Sequence, residues 1–277
     1  MTVLRMPGAS LWGLSETQSS RQNPARVRSA VPGWHSGAMQ AVDPGDLALL
    51  TDDELLIWAA QGPSKGVRAW SHGDAVVVAV DEVARRSRLA VTGPVDQVEM
   101  VVRQVLAEPG GARYRPIGDE GLIATLCERI PMLTLTPGFG WMHTTRAPET
   151  DSRVRRALDH ELAAVSRLLE LAFPASLATP GQRGVHGWWV IPDGEEVMAC
   201  AADAWSTPGA GLLAGVASAP CVRGQGLGRA VAATVLAHLV TVYGSACLMV
   251  ESDNDAARGI YSSLGMSYRP LLAATCG

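Results

Sequence analysis

Signals for a membrane, a nucleic acid or an oxidising compartment are scarce or missing in this sequence of 277 residues. No apolar run approaches the roughly 18 residues that cross a bilayer as a helix. The formal net charge of −4 argues against binding nucleic acid or a membrane surface through bulk charge. The five cysteines are odd in number and scattered, without a Cys-x-x-Cys pair, so we expect reduced, buried thiols in a cytoplasmic protein.

The first 42 residues have little hydrophobic periodicity and are rich in Ser, Gly, Pro and Arg. This composition predicts a disordered tail. The excess of arginine over acid gives the segment a weak likeness to a transit peptide, and the absence of a 7–15-residue apolar stretch argues against a secretory signal. A translation start at Met39 is an alternative that the sequence leaves open.

Two α/β segments follow, and the polar stretch at residues 146–151 is the best candidate linker between them. In residues 43–145, the apolar run Ala75–Val80 predicts a strand, and Leu122, Leu126 and Ile130 recur four apart, as in a helix. We assign this segment no chemistry and expect it to wall the substrate cleft. In residues 152–277, an apolar stripe over 159–172 predicts a helix, and later apolar runs predict strands.

A glycine-rich turn between a strand and a helix is the most informative stretch. An apolar run over 212–216 stops before Pro220, an Arg-Gly-x-Gly-x-Gly turn follows, and an apolar helical segment continues to Tyr243. This order gathers free backbone N–H groups at a helix N-terminus, where the helix dipole adds positive potential. The glycines permit positive φ and the close approach of an anion, while Arg223 and Arg229 add full charges. The turn therefore predicts a pyrophosphate cradle.

The spacing of this turn excludes two common phosphate loops. A Walker A loop ends in Gly-Lys-Ser/Thr, and the turn has no lysine. The dinucleotide fingerprint requires Gly-x-Gly-x-x-Gly, and counted from Gly226 its third glycine would be Val231. The pattern Arg-x-x-Gly-x-Gly after a strand instead resembles motif A of the GCN5-related N-acetyltransferases, which hold the pyrophosphate of acetyl-coenzyme A in this way.

A second motif of the same family follows at the family's separation. After the strand-like run 246–251, residues 254–266 resemble motif B, Asn-x-x-Ala-x-x-x-Tyr-x-x-x-Gly-Phe, with Met266 in place of the final aromatic residue. The resemblance extends from about Val154 to the C-terminus. It implies a mixed central sheet flanked by helices, the acyl-coenzyme A N-acyltransferase fold, in residues 152–277. Residues 43–145 would then be a second, smaller α/β domain, with a degenerate copy of the first fold as one interpretation.

The family splays two parallel strands, here 212–219 and 246–251, and binds the pantetheine arm of the coenzyme between them. The resemblance implies acetyl-coenzyme A as co-substrate and no metal. The coenzyme-binding residues that it implies are Val216, Ala217, Ser218, Arg223, Gly224, Gln225, Gly226, Leu227, Gly228, Arg229, Asn254 and Tyr261. Val216 and Ser218 would contribute backbone groups, and Asn254 would either bind pantetheine or cap a helix.

The same resemblance assigns proton-transfer roles. Tyr261 matches the tyrosine that protonates the coenzyme A thiolate, a transfer that is uphill by about 2 kcal/mol for an unperturbed phenol. A core aromatic residue is the alternative for Tyr261. Many family members carry a glutamate as base early in the strand that enters the cradle, but this sequence has Leu212 and Leu213 there. Glu251, Asp203, His186 and transfer through water remain as candidates, because an alkylammonium is mostly protonated at neutral pH.

Three functions are compatible with these motifs. The first is an N-acetyltransferase that moves an acetyl group from acetyl-coenzyme A to a primary amine by direct attack. The second is a non-catalytic, regulatory acyl-coenzyme A-binding module, and the third is another kind of phosphate-binding domain, which motif B argues against. The expected partner is a small-molecule amine or a protein amine, with no nucleic acid and no membrane. Whether two copies pair as a homodimer is left open.

Overall fold

A computed structural model describes residues 39–61 and 66–277. The first half of the described chain contains four helices, α1 (Leu47–Leu50), α2 (Glu54–Ala60), α3 (Val95–Ala107) and α4 (Glu120–Arg129). Its strands are β1 (Gln40–Val42), β2 (Arg68–His72), β3 (Ala75–Val83), β4 (Arg86–Thr92), β5 (Arg115–Asp119), β6 (Leu133–Leu135) and β7 (Phe139–Thr144).

The second half contains three helices and six strands, and the glycine turn lies between β11 and α6. Its helices are α5 (Leu162–Ala172), α6 (Leu227–Tyr243) and α7 (Asp255–Ser263). Its strands are β8 (Arg155–Arg156), β9 (Val185–Asp193), β10 (Glu196–Ala204), β11 (Gly211–Ser218), β12 (Ala246–Glu251) and β13 (Ser267–Cys276). The predicted mixed sheet flanked by helices is confirmed.

The two halves share one order of elements: a strand, one or two helices, three strands, a helix, a strand, a helix and a closing strand. The first half adds α2 and β6 to this order. That the first half is a degenerate copy remains a prediction. The predicted tail lies outside the described residues except at its end, where residues 40–42 form β1 against β2 and are therefore ordered.

The sheet joins both halves through exchanged strands. Its order is β1-β2-β3-β4-β5-β13-β7-β12-β11-β10-β9-β8, and β6 pairs with β13 beside this path. Strand β7, from the first half, lies between β12 and β13, while β13, from the second half, pairs with β5. Each half therefore completes the sheet of the other, and the described residues form one compact unit. The boundaries at 43–145 and 152–277 remain a prediction from sequence.

Helices cover both faces of this sheet. Helices α1, α2 and α5 contribute to one core cluster that runs under both halves, and we name this side the α2/α5 face. On the opposite side, α6 and α7 pack over the second half, which we name the α6/α7 face. Helices α3 and α4 pack over the first half on that side, with Val98, Val101, Val102 and Val105 of α3 fully buried. The valine spacing predicted this helix.

An ion network ties α2 to the exchanged strand β13. Arg269 of β13 donates from Nη1 to Asp53 Oδ1 at 2.9 Å and from Nε to Asp119 Oδ1 at 2.6 Å. Asp53 is also the N-cap of α2, since its carboxylate accepts from the Leu55 amide at 2.9 Å. Because the Asp53 side chain is only 10% exposed, losing its partner would leave a desolvated carboxylate.

We therefore expect Arg269→Leu to lower the free energy of unfolding by about 2 kcal/mol, through unpaired Asp53 and Asp119. Denaturant titration followed by circular dichroism measures this. Arg167→Leu is the control, because the Arg167–Glu196 pair is largely exposed at 3.4 Å and should change stability by less than about 0.5 kcal/mol. Equal effects of the two substitutions would contradict a structural role for the Arg269 network.

Candidate active site

The strands β11 and β12 run parallel but separate after two residue pairs. Gly211 is opposite Ala246 and Leu212 is opposite Cys247, and no further pair joins the two strands. Beyond this point β11 stays paired with β10, and β12 stays paired with β7 along its whole length. The gap between residues 213–218 and 248–251, which we name the wedge, is therefore held open from both sides.

A bulge in β11 lies along the wedge. Between the pairs Cys200↔Ala217 and Ala202↔Ala214, β11 advances by three residues while β10 advances by two. One extra residue therefore lies in β11. Gly215 lies in this interval with φ +61°, in the left-handed region. A β-carbon there would also lie 2.6 Å from the ring of Trp188 on β9. Glycine is thus required at this position for two reasons: the backbone has a positive φ, and the indole of Trp188 leaves no room for a β-carbon.

The glycine turn leads from β11 into the N-terminus of α6, as predicted. Gly224 and Gly226 have φ +79° and +78°, and a β-carbon on either would have no neighbour within 4 Å. Gly226 is the N-cap of α6 and has no side chain to satisfy the helix amides. The first-turn N–H groups therefore face open space, which is the arrangement that binds phosphate at helix N-termini.

The two arginines of the turn differ in their surroundings. The backbone N–H of Arg223 donates to the Pro220 carbonyl at 3.4 Å, while its guanidinium is exposed and has no hydrogen bond or ion pair within the described part of the chain. Arg229 donates from Nε to Ser263 Oγ of α7 at 3.3 Å. Asn254 caps α7, because its Oδ1 accepts from the Ala257 amide at 3.1 Å. Two roles were predicted for Asn254, binding of pantetheine and capping of a helix, and the structure shows the helix cap.

Tyr261 lies on α7 within the core cluster of the α6/α7 face and is 8% exposed. Its hydroxyl makes no hydrogen bond to any described residue. Burial raises the pKa of Tyr261 to about 12. Proton transfer from this phenol to a thiolate with a pKa of about 8.5 is then uphill by about 5 kcal/mol, more than the sequence alone suggested.

The two carboxylates predicted as candidate bases lie in different surroundings. Glu251 ends β12, is exposed, and shares the α2/α5 face with Cys247 and Met249 by strand alternation. Asp203 is 2% exposed and points to the α6/α7 face. The structure therefore does not bring these two carboxylates together.

Asp203 and His186 do meet, in a polar cluster that the sequence did not reveal. Asp203 accepts from Ser206 Oγ at 2.5 Å and from the Tyr243 hydroxyl at 3.0 Å, and His186 Nδ1 is 3.3 Å away. His238 Nε2 lies 3.6 Å from the same carboxylate, and its ring packs at a tilt against Trp189 with the centroids 4.6 Å apart. Two hydroxyl groups thus already donate to this buried carboxylate, and Asp203 as a base remains a prediction.

Tyr243 belongs to the same cluster, at the end of α6 opposite the glycine turn. Burial, with the charge of Asp203 as the next contribution, raises the pKa of Tyr243 to about 12. Among residues 39–61 and 66–277, no group of three or more His, Cys, Asp or Glu side chains is arranged to hold a metal ion. In the same ranges, no helix combines the length and the apolar character needed to cross a membrane.

Comparison with known proteins supports the fold. The model of the FR47-like protein family matches residues 192–272, from the end of β9 into β13. A GCN5-related N-acetyltransferase from Kribbella flavida is 19% identical with a TM-score of 0.54, over 76% of this chain and 90% of that chain. One from Sphaerobacter thermophilus is 17% identical with a TM-score of 0.50, over 86% and 94%. A Drosophila protein is 12% identical with a TM-score of 0.55, over 86% and 98%. The search of curated proteins gave no match.

The raised pKa of Tyr261 makes stability depend on alkaline pH. A group whose pKa is about 10 unfolded and about 12 folded contributes stability that is complete below pH 10 and is lost as pH rises towards 12. We expect Tyr261→Phe to cost little at neutral pH, because no hydrogen bond is lost, and to flatten the fall in stability between about pH 10 and 12. Urea titrations across that range measure both effects, and an unchanged slope in the variant would contradict the assignment.

Proposed function

Because the chain has the acyl-coenzyme A N-acyltransferase fold of the GCN5-related N-acetyltransferase superfamily, we propose that it transfers an acetyl group from acetyl-coenzyme A to an amine. One observation carries this proposal: the wedge between β11 and β12 lies next to a glycine turn, and the first-turn amides of α6 at that turn have no partner among the described residues. A wedge alone would suit a pantetheine arm, and the turn alone would suit any anion. Their succession along β11 suits a coenzyme that carries both.

The residues at the wedge fit such a coenzyme on the geometry of this chain. Gly224 and Gly226 leave open space where a side chain would block a diphosphate, and Arg223 supplies an unpaired cation. Gly228 lets α6 approach β11, because its β-carbon would lie 2.9 Å from Ser218 Oγ. The turn backbone from Arg223 to Arg229 would therefore hold the pyrophosphate, as oriented amides and helix termini hold phosphates.

The wedge supplies backbone groups for the rest of the coenzyme. Val216, Ala217 and Ser218 follow the bulge, and the side of β11 that faces β12 has no ladder partner there. These free groups would bind the amide oxygens and nitrogens of a pantetheine arm. An N–H at the bulge would stabilise the oxyanion formed when an amine attacks the acyl carbon. When bound, the coenzyme supplies the acyl group as a thioester and departs as a thiolate.

Tyr261 is the proposed donor of a proton to that thiolate. Its high pKa makes it a weak acid in the free protein, but burial disfavours an anionic sulfur in the same surroundings as well. The difference between the pKa of the phenol and the pKa of the thiol would therefore narrow when the sulfur lies in the same buried surroundings as Tyr261. The acceptor amine would come from a small molecule or a protein.

A non-catalytic acyl-coenzyme A-binding module is the second candidate. The observation that favours it is the apolar pair Leu212 and Leu213, where many relatives carry a base. Both candidates require coenzyme binding and differ only in turnover. Coenzyme A release from acetyl-coenzyme A with a panel of alkylamines, a polyamine, an amino sugar and a peptide N-terminus distinguishes them.

For binding, we expect Gly226→Val to abolish the heat of acetyl-coenzyme A titration, because a branched side chain at φ +78° fills the diphosphate site and strains the N-cap. Gly244→Val is the matched control. Gly244 lies at the other end of α6 with φ +85° and open space at its β-carbon. A normal dissociation constant for the Gly226 variant would exclude the turn as the diphosphate site.

For turnover, we expect Tyr261→Phe to lower kcat by about 100-fold while the coenzyme dissociation constant changes by less than about twofold. Steady-state assays of coenzyme A release and calorimetry with acetyl-coenzyme A measure the two quantities. A loss of binding in parallel with turnover would mean that Tyr261 shapes the site and does not donate the proton.

A further inference from the structure

A histidine and a glutamate from the first half lie at the point where β11 and β12 separate. His143 of β7 is directly opposite Cys247 of β12, and Cys247 is opposite Leu212 in the last pair before the wedge. Glu54, the first residue of α2, places Oε1 at 3.4 Å from His143 Nδ1. Sequence reasoning assigned no chemistry to either residue, because each precedes the predicted boundary near residue 146.

Strand alternation places the pair on the α2/α5 face. Residues opposite each other in adjacent strands point to the same side, so His143 shares the side of Cys247 and Leu212, both members of the core cluster of that face. Tyr261 belongs to the cluster of the opposite face. The two proton-transfer groups would therefore act from opposite sides of the wedge, one on the attacking amine and the other on the leaving thiolate.

Two buried indoles lie on the same face of the sheet as His143. Trp141 is opposite Met249 of β12, and Trp188 packs against the bulge at Gly215 of β11. The two side chains are 1% and 3% exposed, and neither Nε1 has a hydrogen-bond partner among the described residues. Buried indole N–H groups normally have a partner, and an acceptor molecule with an oxygen near its amine would provide one.

Helix α2 is fixed firmly enough to hold Glu54 in place. Next to Glu54, Asp53 is paired with Arg269 of β13. One turn further on, Trp58 donates from Nε1 to the Trp205 carbonyl at 3.0 Å and packs against Trp141 with ring centroids 5.7 Å apart. These contacts anchor the helix to β13, to β7 and to the segment after β10.

The charged and titratable groups around His143 come from three elements. Helix α2 contributes Glu54 and Asp53, β12 contributes Cys247 and, at its end, Glu251, and β13 contributes Arg269, which is paired with Asp53. Burial raises the pKa of the Cys247 thiol well above its usual range, and the charge of Glu54 raises it further, which places that carboxylate close to the wedge. Glu54 is thus the negative charge nearest to the imidazole.

From this arrangement we infer that His143 accepts the proton of the acceptor ammonium, directly or through one water, while Glu54 is a positioning residue. This inference rests on the proposed acyl transfer. The Glu54 carboxylate lies on the Nδ1 side of the ring and would favour a proton there, which leaves Nε2 for the amine, since Nε2 has no partner within the described chain. His143 passes the ammonium proton on to solvent, and the neutral amine forms the new C–N bond as the C–S bond breaks. Tyr261 protonates the departing thiolate, and the second proton of the attacking nitrogen returns through water to the Tyr261 phenolate.

The experiment compares acceptors that do and do not need a base. A primary alkylamine such as propylamine is mostly protonated at about pH 7, whereas aniline is already neutral there. We expect His143→Gln to lower kcat/KM by about 100-fold for the alkylamine and by less than about fivefold for aniline. We expect Glu54→Gln to lower the alkylamine value by about tenfold and to shift the acidic limb of its pH profile.

Controls separate this role from folding. Glu120→Gln also removes a carboxylate from the first residue of a helix, and His160→Gln removes an exposed histidine, so both should leave all rates unchanged. Thermal melts monitor each variant. If His143→Gln melts early, partial rescue of His143→Gly by added imidazole for the alkylamine, and not for aniline, keeps the test decisive.

The outcomes distinguish this inference from the proposed function. Wild-type turnover combined with equal losses for both amines, or with no loss, in His143→Gln would overturn the role of His143 and leave acyl transfer standing. A wild type that binds acetyl-coenzyme A but transfers to neither amine nor to the wider panel would overturn the proposed function and this inference with it. A loss of kcat/KM in His143→Gln that is large for the alkylamine and small for aniline would support both the proposed function and the role of His143.

Discussion

The separation of β11 and β12 after Leu212 and Cys247 is the constraint on which the candidate site depends. Two parallel strands in one sheet would normally continue to pair, so something must hold them apart. Here β12 is paired along its whole length with β7, and β11 is bent by the bulge at Gly215 while it stays paired with β10. The facing edges of β11 and β12 therefore carry unpaired backbone N–H and C=O groups that a ligand can bind.

The first half of the chain therefore takes part in building the site. It contributes β7, which holds β12 away from β11, and α2, which covers the α2/α5 face beside the wedge. Because β7 and β13 are exchanged between the halves, strand pairing within one sheet fixes the position of β12. A weak contact between two separate domains is not needed. A chain that lacked residues 39–144 would lose both the outer support of β12 and the Glu54–His143 pair.

The sequence predicted the local features of the site and missed those that depend on distant pairing. The turn at Gly224–Gly228 and the helix that carries Tyr261 have residue patterns with direct conformational meaning, and both were found. The exchange of β7 and β13 is encoded in no local pattern, so the contact of Glu54 with His143 was invisible. The candidate bases predicted from sequence, Glu251, Asp203 and His186, all lie in residues 152–277, and the bonds of Asp203 to Ser206 and Tyr243 were equally invisible because those partners lie outside its own strand.

Hydrogen–deuterium exchange of the backbone amides, with and without acetyl-coenzyme A, tests the central claim most directly. If the wedge and the glycine turn hold the coenzyme through main-chain groups, exchange should slow at residues 214–218 and 224–230 and stay unchanged in α3 and α4 of the first half. Binding without protection of these two segments, or protection confined to the first half, would contradict the account.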